Sequence, residues 1–97
     1  MIVGITYVLI ASFYGPGFHG NLTANGERFD SLARTAAHKT LPFGTRLRVC
    51  HKTCEVVRIN DRGPFIPGRD LDLSAGTARR IGLHRRGVGQ VQVTRLN

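Results

Sequence analysis

The first apolar run, Ile5-Thr6-Tyr7-Val8-Leu9-Ile10-Ala11-Ser12-Phe13-Tyr14, is dense in β-branched and aromatic residues, which suit a pleated, half-buried strand. Gly15-Pro16-Gly17 and Gly20-Asn21 break it, and Asn25-Gly26 is a strong turn signal, so residues 15–26 read as a loop. Thr45-Arg46-Leu47-Arg48-Val49 alternates polar and apolar with period two, and the segment from Glu55 to Ile59 reads as its return strand. Val91-Gln92-Val93-Thr94-Arg95-Leu96 alternates cleanly and predicts a closing strand. Between these lie a short helical turn around Asp30-Ser31-Leu32-Ala33, a turn at Leu41-Pro42-Phe43-Gly44, and an abrupt strand end at Asn60-Asp61-Arg62-Gly63-Pro64. Ala75 to Ile81 reads as one helix, with Ser74 or Asp72 as its cap and Gly82 as its stop. Short strands, a single helix and no βαβ rhythm predict a small mixed barrel over a doubly wound sheet.

Composition narrows this. A chain of 97 residues fits one domain, here residues 1–97, and 12 glycines with 4 prolines favour tight turns over long helices. Lys and Arg number 14 against 6 Asp and Glu, a net charge of +8 that attracts polyanions. Nucleic acid is disfavoured as the partner. The basic residues are scattered from Arg28 to Arg95, with pairs only at Arg79-Arg80 and Arg85-Arg86, and no aromatic stacking ladder or helix-turn-helix pattern accompanies them. The stretch Met1 to Phe13 is too short to span a bilayer and has no basic flank before Arg28, so no membrane insertion is expected. Export is then encoded upstream, or supplied by another particle such as a phage.

Cys50 and Cys54 lie between the two paired segments, where a disulfide would clamp the hairpin loop and imply an oxidising compartment. A pair of reduced, packed thiols is the alternative. A metal site has only His51 at hand, where structural zinc takes four ligands.

Three segments carry more information than composition does. Ala11-Ser12-Phe13-Tyr14-Gly15, with Phe18-His19-Gly20 and Thr23-Ala24-Asn25-Gly26-Glu27-Arg28-Phe29-Asp30, resembles the opening of domains of the rare lipoprotein A (RlpA) family. Thr35-Ala36-Ala37-His38-Lys39-Thr40-Leu41-Pro42-Phe43-Gly44-Thr45 resembles their central motif, and Asn60-Asp61-Arg62-Gly63-Pro64-Phe65 with Asp70-Leu71-Asp72-Leu73-Ser74 resembles the third. The resemblance covers residues 11–97 in the family's order. It implies a mainly β fold, a six-stranded double-psi β-barrel with one or two short helices, shared with expansins and barwin, with a polysaccharide groove across one face. It also implies peptidoglycan as substrate and lytic transglycosylase chemistry on glycan strands stripped of peptide, in an extracytoplasmic setting: secreted, periplasmic or in the wall. Two departures stand out: Cys50-His51-Lys52-Thr53-Cys54 replaces a longer polar hairpin, and Met1 to Thr6 does not match the usual exported N-terminus.

Lytic transglycosylation needs a carboxyl group that protonates the leaving glycosidic oxygen and then accepts the proton of the muramyl 6-hydroxyl, which closes a 1,6-anhydro ring. The resemblance assigns this to Asp61, with Glu27 and His38 assisting. A structural role for Asp61, capping the loop and pairing with Arg58 or Arg62, competes with it, and adjacent arginine charge would lower its pKa unless those guanidiniums point elsewhere. Asp72 resembles an aspartate that expansin-like barrels place beside their groove; helix capping explains it nearly as well. Asn60 and Arg62 are candidate hydrogen-bond donors to sugars, and Tyr14, Phe18 and Phe65 candidate stacking faces, with core packing as the rival role for the rings. His19 and His51 read as surface residues. No phosphate loop, metal-ligand constellation or nucleophile triad is present, so neither cofactor nor metal is expected. The expectation is a monomeric enzyme acting on glycan strands; a non-catalytic, expansin-like wall-binding module is the rival, and nucleic-acid binding rests on charge alone.

Overall fold

The computed structural model describes residues 3–97; Met1 and Ile2, the start of the apolar stretch, lie outside the described residues. Six strands, β1 (Thr6–Phe13), β2 (Thr35–His38), β3 (Arg46–Cys50), β4 (Cys54–Asp61), β5 (Leu71–Leu73) and β6 (Gly89–Arg95), form a closed barrel, with a helix, α1 (Ala75–Arg80), between β5 and β6. The order around the barrel is β1-β5-β2-β4-β3-β6. The β1·β5 and β2·β4 seams are parallel and the other four antiparallel. This is the mainly β barrel that the resemblance implies.

Alternation builds the core where it is clean. In β3, Leu47 and Val49 point inward while Arg46 and Arg48 face water, and Val57 and Ile59 of β4 and Val91 and Val93 of β6 meet them inside. Leu71 and Leu73 of β5 and Ala11 and Ala36 complete the interior, and Ala78, Ile81 and Leu83 from α1 and its exit join the same cluster. Four strands follow the predicted pattern within two residues at each end. β2 and β5 do not: Thr35, Ala36 and Ala37 are all buried, so no alternation marks them, as happens in parallel pairs covered on both faces. The segment around Asp30 to Ala33 forms turns and bends, not a helix. Asn60 and Asp61 continue β4 instead of ending it, because pairing with β2 overrides their turn preference.

The helix is capped as its sequence predicts. Ser74, not Asp72, is the cap: its Oγ accepts from Thr77 N at 3.2 Å and donates to Ala33 O at 2.6 Å. Gly82, at φ +84°, turns the chain after the helix. Gly76 is fixed by space: a Cβ there would lie 2.9 Å from Ser31 O and 3.0 Å from the Leu32 Cα, so α1 rests directly on the Ser31–Leu32 backbone.

Cys50 and Cys54, opposed at the turn of the β3–β4 hairpin, are joined by a disulfide. The tip of this hairpin docks on the helix end, where Lys52 N and Thr53 Oγ1 donate to Ile81 O and Arg80 O at 2.9 and 2.8 Å. Those contacts satisfy carbonyls that a helix terminus otherwise leaves open.

Candidate active site

One irregularity in the barrel decides the site. Along the β2·β4 seam Ala36 pairs with Ile59 but Ala37 pairs with Asp61, so Asn60 is an extra residue, a β-bulge. Strict alternation from the buried Ile59 would turn Asp61 toward the core. The bulge shifts the count by one, so that Asp61 faces outward, while Asn60 is the extra residue, 3% exposed and with its side chain beside Glu27. Across the sheet Ala37 is also the partner of Asp72, and Asp72 is the partner of Ser12. Asp61, Ala37, Asp72 and Ser12 thus form a row on the outer face of the barrel, and the two acid-bearing strands lie about 10 Å apart, two strand spacings.

Above this row lies a groove of about 480 Å³ that brings together Tyr14, Phe18, Asp61, Arg62, Phe65 and Asp72. Phe65, 78% exposed, and Phe18 stand at its rim, presenting ring faces to solvent instead of filling the core. Tyr14 is half-buried, stacked on Phe29 at 4.2 Å between centroids and edge-on to Phe18 at 5.8 Å.

Asp61 is held from three directions. Tyr14 O–H donates to its Oδ2 at 2.6 Å, and the backbone N–H groups of Ala24 and Arg62 donate to its Oδ1 at 2.8 and 2.9 Å. Burial, reinforced by the bond to Asp61, pushes the Tyr14 pKa upward, so the phenol keeps its proton and stays a donor. Neither nearby guanidinium pairs with Asp61. Arg58 forks onto Glu27, and Arg62 Nη1 donates to His38 O and Leu41 O at 3.3 and 2.8 Å with its guanidinium 4.0 Å over the Phe43 ring. Of the competing structural role, the ion pair with Arg58 or Arg62 is not formed, while the loop-capping bonds from the Ala24 and Arg62 N–H groups are.

Asp72 shares the groove in a different setting. It accepts one hydrogen bond, from Ser12 Oγ at 3.1 Å, and burial raises its pKa above the ordinary carboxylate value, with the charge of Asp61 adding to the rise against the opposing pull of Ser12 and Arg69. It accepts fewer hydrogen bonds than Asp61 does.

Glu27, His38 and Asn60 do not line the groove. Glu27 accepts from Arg58 at 2.5 and 2.8 Å and from Asn25 Nδ2 at 2.6 Å, and these bonds lower its pKa to about 2. A group so acidic cannot deliver a proton near neutrality. It instead pins the Thr23–Glu27 turn to β4, from which Ala24 reaches Asp61 and Asn25 N reaches Asn60 O at 3.2 Å. His38 Nδ1 accepts from Thr40 N and Leu41 N at 3.1 and 3.0 Å, and burial lowers its pKa, so a neutral imidazole shapes the loop whose carbonyls hold Arg62. Asn60, expected to bind sugar, is the buried bulge residue. Sequence reasoning missed Arg58 as the partner of Glu27, 31 residues away, along with Ser12 and the Ala24 N–H; no local spacing signals such contacts.

Because the folded-state pKa of Glu27 lies below its ordinary value, the Arg58 pair contributes stability that is full above about pH 4.5 and is lost as pH falls toward about 2. The Glu27 side chain is 39% exposed, so solvent screening holds this to on the order of 1 kcal/mol. Urea denaturation of Glu27→Gln across pH 2–7 should show a loss of that size at neutral pH that shrinks to nothing near pH 2. A constant difference would mean that the charge of Glu27 plays no part.

The closed six-stranded barrel is a double-psi β-barrel, and its surface groove carries two carboxylates beneath an aromatic rim. The same fold is found in the Streptomyces papain inhibitor, with a TM-score of 0.77 at 17% identity over 98% of this chain and 97% of that one. A Clavibacter michiganensis expansin solved with cellohexaose shares it with a TM-score of 0.77 at 17% identity, over 96% of this chain and 51% of that one. The lytic transglycolase family model matches residues 6–93, and this chain belongs to that family. It is 66% identical over 85 residues to the "Probable endolytic peptidoglycan transglycosylase RlpA" of Synechocystis sp., covering 84% of this chain and 26% of that protein. To the endolytic peptidoglycan transglycosylase RlpA of Campylobacter jejuni it is 49% identical over 94 residues, covering 94% of this chain and 34% of the relative. The chain thus spans about a quarter to a third of the length of these relatives.

Proposed function

We propose that this barrel is the catalytic domain of an endolytic peptidoglycan transglycosylase, cleaving the bond between N-acetylmuramic acid and N-acetylglucosamine within a glycan strand. The observation that carries the reading is Asp61, turned outward by the bulge and held by three donors in a groove shared with Asp72. The two proton transfers divide between these carboxyls. Asp72 gives its proton to the glycosidic oxygen as the C1–O bond breaks, and Asp61 takes the proton of the muramyl 6-hydroxyl as O6 closes on C1. The product is a 1,6-anhydro end, no water is consumed, and solvent exchange returns both acids to their starting states. Phe18 and Phe65 offer faces on which sugar rings stack, and Tyr14 holds Asp61 in place.

The relatives are named for action on peptidoglycan, which lies outside the cytoplasm, and the Cys50–Cys54 disulfide suits an oxidising compartment. The groove is complete within one chain, so a monomer is the expected active unit, and the substrate is the glycan strand itself. Among the described residues no helix is long and apolar enough to cross a membrane.

Mass spectrometry of soluble products released from purified sacculi and from amidase-treated glycan tests the reading. Anhydro-muramyl ends are expected. Reducing ends would replace the proposal with a hydrolase, and binding to glycan without product would replace it with an expansin-like module.

A further inference from the structure

Beside the groove, across the end of β1, lies a second hollow of about 420 Å³ that the mechanism does not use. It shares Phe13, Tyr14 and Gly15 with the groove, so one extended molecule can occupy both. Its floor is firmly built. Gly76 N donates to Ser31 O at 2.8 Å, Ser74 Oγ to Ala33 O at 2.6 Å and Arg80 Nη2 to Leu32 O at 3.0 Å, tying the 31–33 backbone to α1.

The hollow and the groove differ in charge. The groove is lined by Asp61 and Asp72 together with Arg62 and Arg69, whereas no carboxylate lines the hollow and Arg79, His84 and His19 do. Among the described residues the ion pairs are Arg34–Glu55, Arg58–Glu27 and Arg80–Glu55, which leave the exposed Arg79 without an acidic partner. His84 rests against Phe13, with ring centroids 5.4 Å apart, which gives its imidazole a fixed seat at the mouth. His19 Nδ1 accepts from Ser31 N at 3.2 Å, so its Nε2 carries the proton and is a donor even in the neutral ring. Apolar ring surface, three donor side chains in the lining and no competing acid are the chemistry of a site for a sugar bearing an anion.

We propose that this hollow is a subsite for an acidic sugar of the strand lying in the groove, with Arg79, assisted by His84 and His19, binding a free carboxylate. The inference rests on the glycan reading of the groove. In an alternating N-acetylglucosamine and N-acetylmuramic acid strand the carboxylate is that of the muramyl lactyl ether; converting it to an amide removes the charge and leaves the sugar unchanged.

Titration calorimetry with a muramyl-containing tetrasaccharide, as free acid and as its methyl amide, tests this in the Asp61→Asn background, where turnover does not interfere. The free acid should bind about 10-fold more tightly than the amide, and Arg79→Gln should abolish the difference. Arg85→Gln removes the same charge from a residue outside the hollow and should leave the difference intact. Equal affinity for acid and amide, or a difference that survives Arg79→Gln, overturns the proposal. So does an equal loss in Arg85→Gln, which would reduce the effect to net charge. Binding of neither sugar would overturn the groove reading first and this subsite with it.

Discussion

Asp61→Asn is expected to lower the release of anhydro-ended fragments by about 10²–10⁴-fold, the range that a positioned acid or base contributes. The substitution is nearly isosteric and leaves one oxygen to accept from both the Ala24 and Arg62 N–H groups, while the Tyr14 hydroxyl can turn to accept from the new amide. The barrel should therefore keep its circular dichroism, and binding to glycan should persist while product vanishes. Retention of more than a tenth of the parent rate by a folded variant would remove Asp61 from the chemistry. Parallel measurement of Asp72→Asn separates the two proposed roles, because the alkaline limb of the rate profile should belong to the acid whose pKa burial has raised.

Ile59→Ala should cost about 2–5 kcal/mol of unfolding free energy, the range for removing a large buried aliphatic side chain. Ile59 is fully buried, pairs with Ala36 across the parallel seam, and is tied through its backbone to Gly44 and Thr45 at 2.8 Å. Its neighbour Ala36 is already small, so little side chain is available to fill the space. Against a total of about 5–15 kcal/mol for a typical domain this is a large fraction. Urea denaturation should show a lower midpoint with unchanged slope. A loss below about 1 kcal/mol would mean that the surrounding barrel collapses onto the vacancy.

Much of this architecture is written locally. Leu47 and Val49, and Val91 and Val93, announce strands through alternation, and Ser74 and Gly82 mark the helix ends. β2 and β5 are invisible to the same reading, because in β2 burial on both faces erases the period and the three residues of β5 are too few to show one. The residues that meet in the groove came from the family resemblance more than from any pattern. The structure places Glu27 and His38 in contacts that hold loops and Asn60 in the bulge, outside the lining of the groove, since a motif identifies which residues matter but not which way a side chain points. The partner of Glu27 depended on a contact between chain segments 31 residues apart, and only the closed barrel supplies it.

The bulge at Asn60 also separates tolerant from intolerant lengths in this chain. The β3–β4 hairpin turns at a surface tip, so residues gained or lost there change only what docks on the helix end. Between Ile59 and Asp61 the single extra residue is itself anchored, its carbonyl accepting from Asn25 N at 3.2 Å. Removing Asn60 would leave the carboxylate facing outward, next after Ile59 and still opposite Ala37, but would take away the carbonyl that holds the Thr23–Glu27 turn, from which Ala24 N reaches Asp61. Insertions and deletions in this barrel should therefore accumulate at its hairpins and be absent from the stretch before Asp61, where one residue more or less unseats the turn that holds the carboxylate.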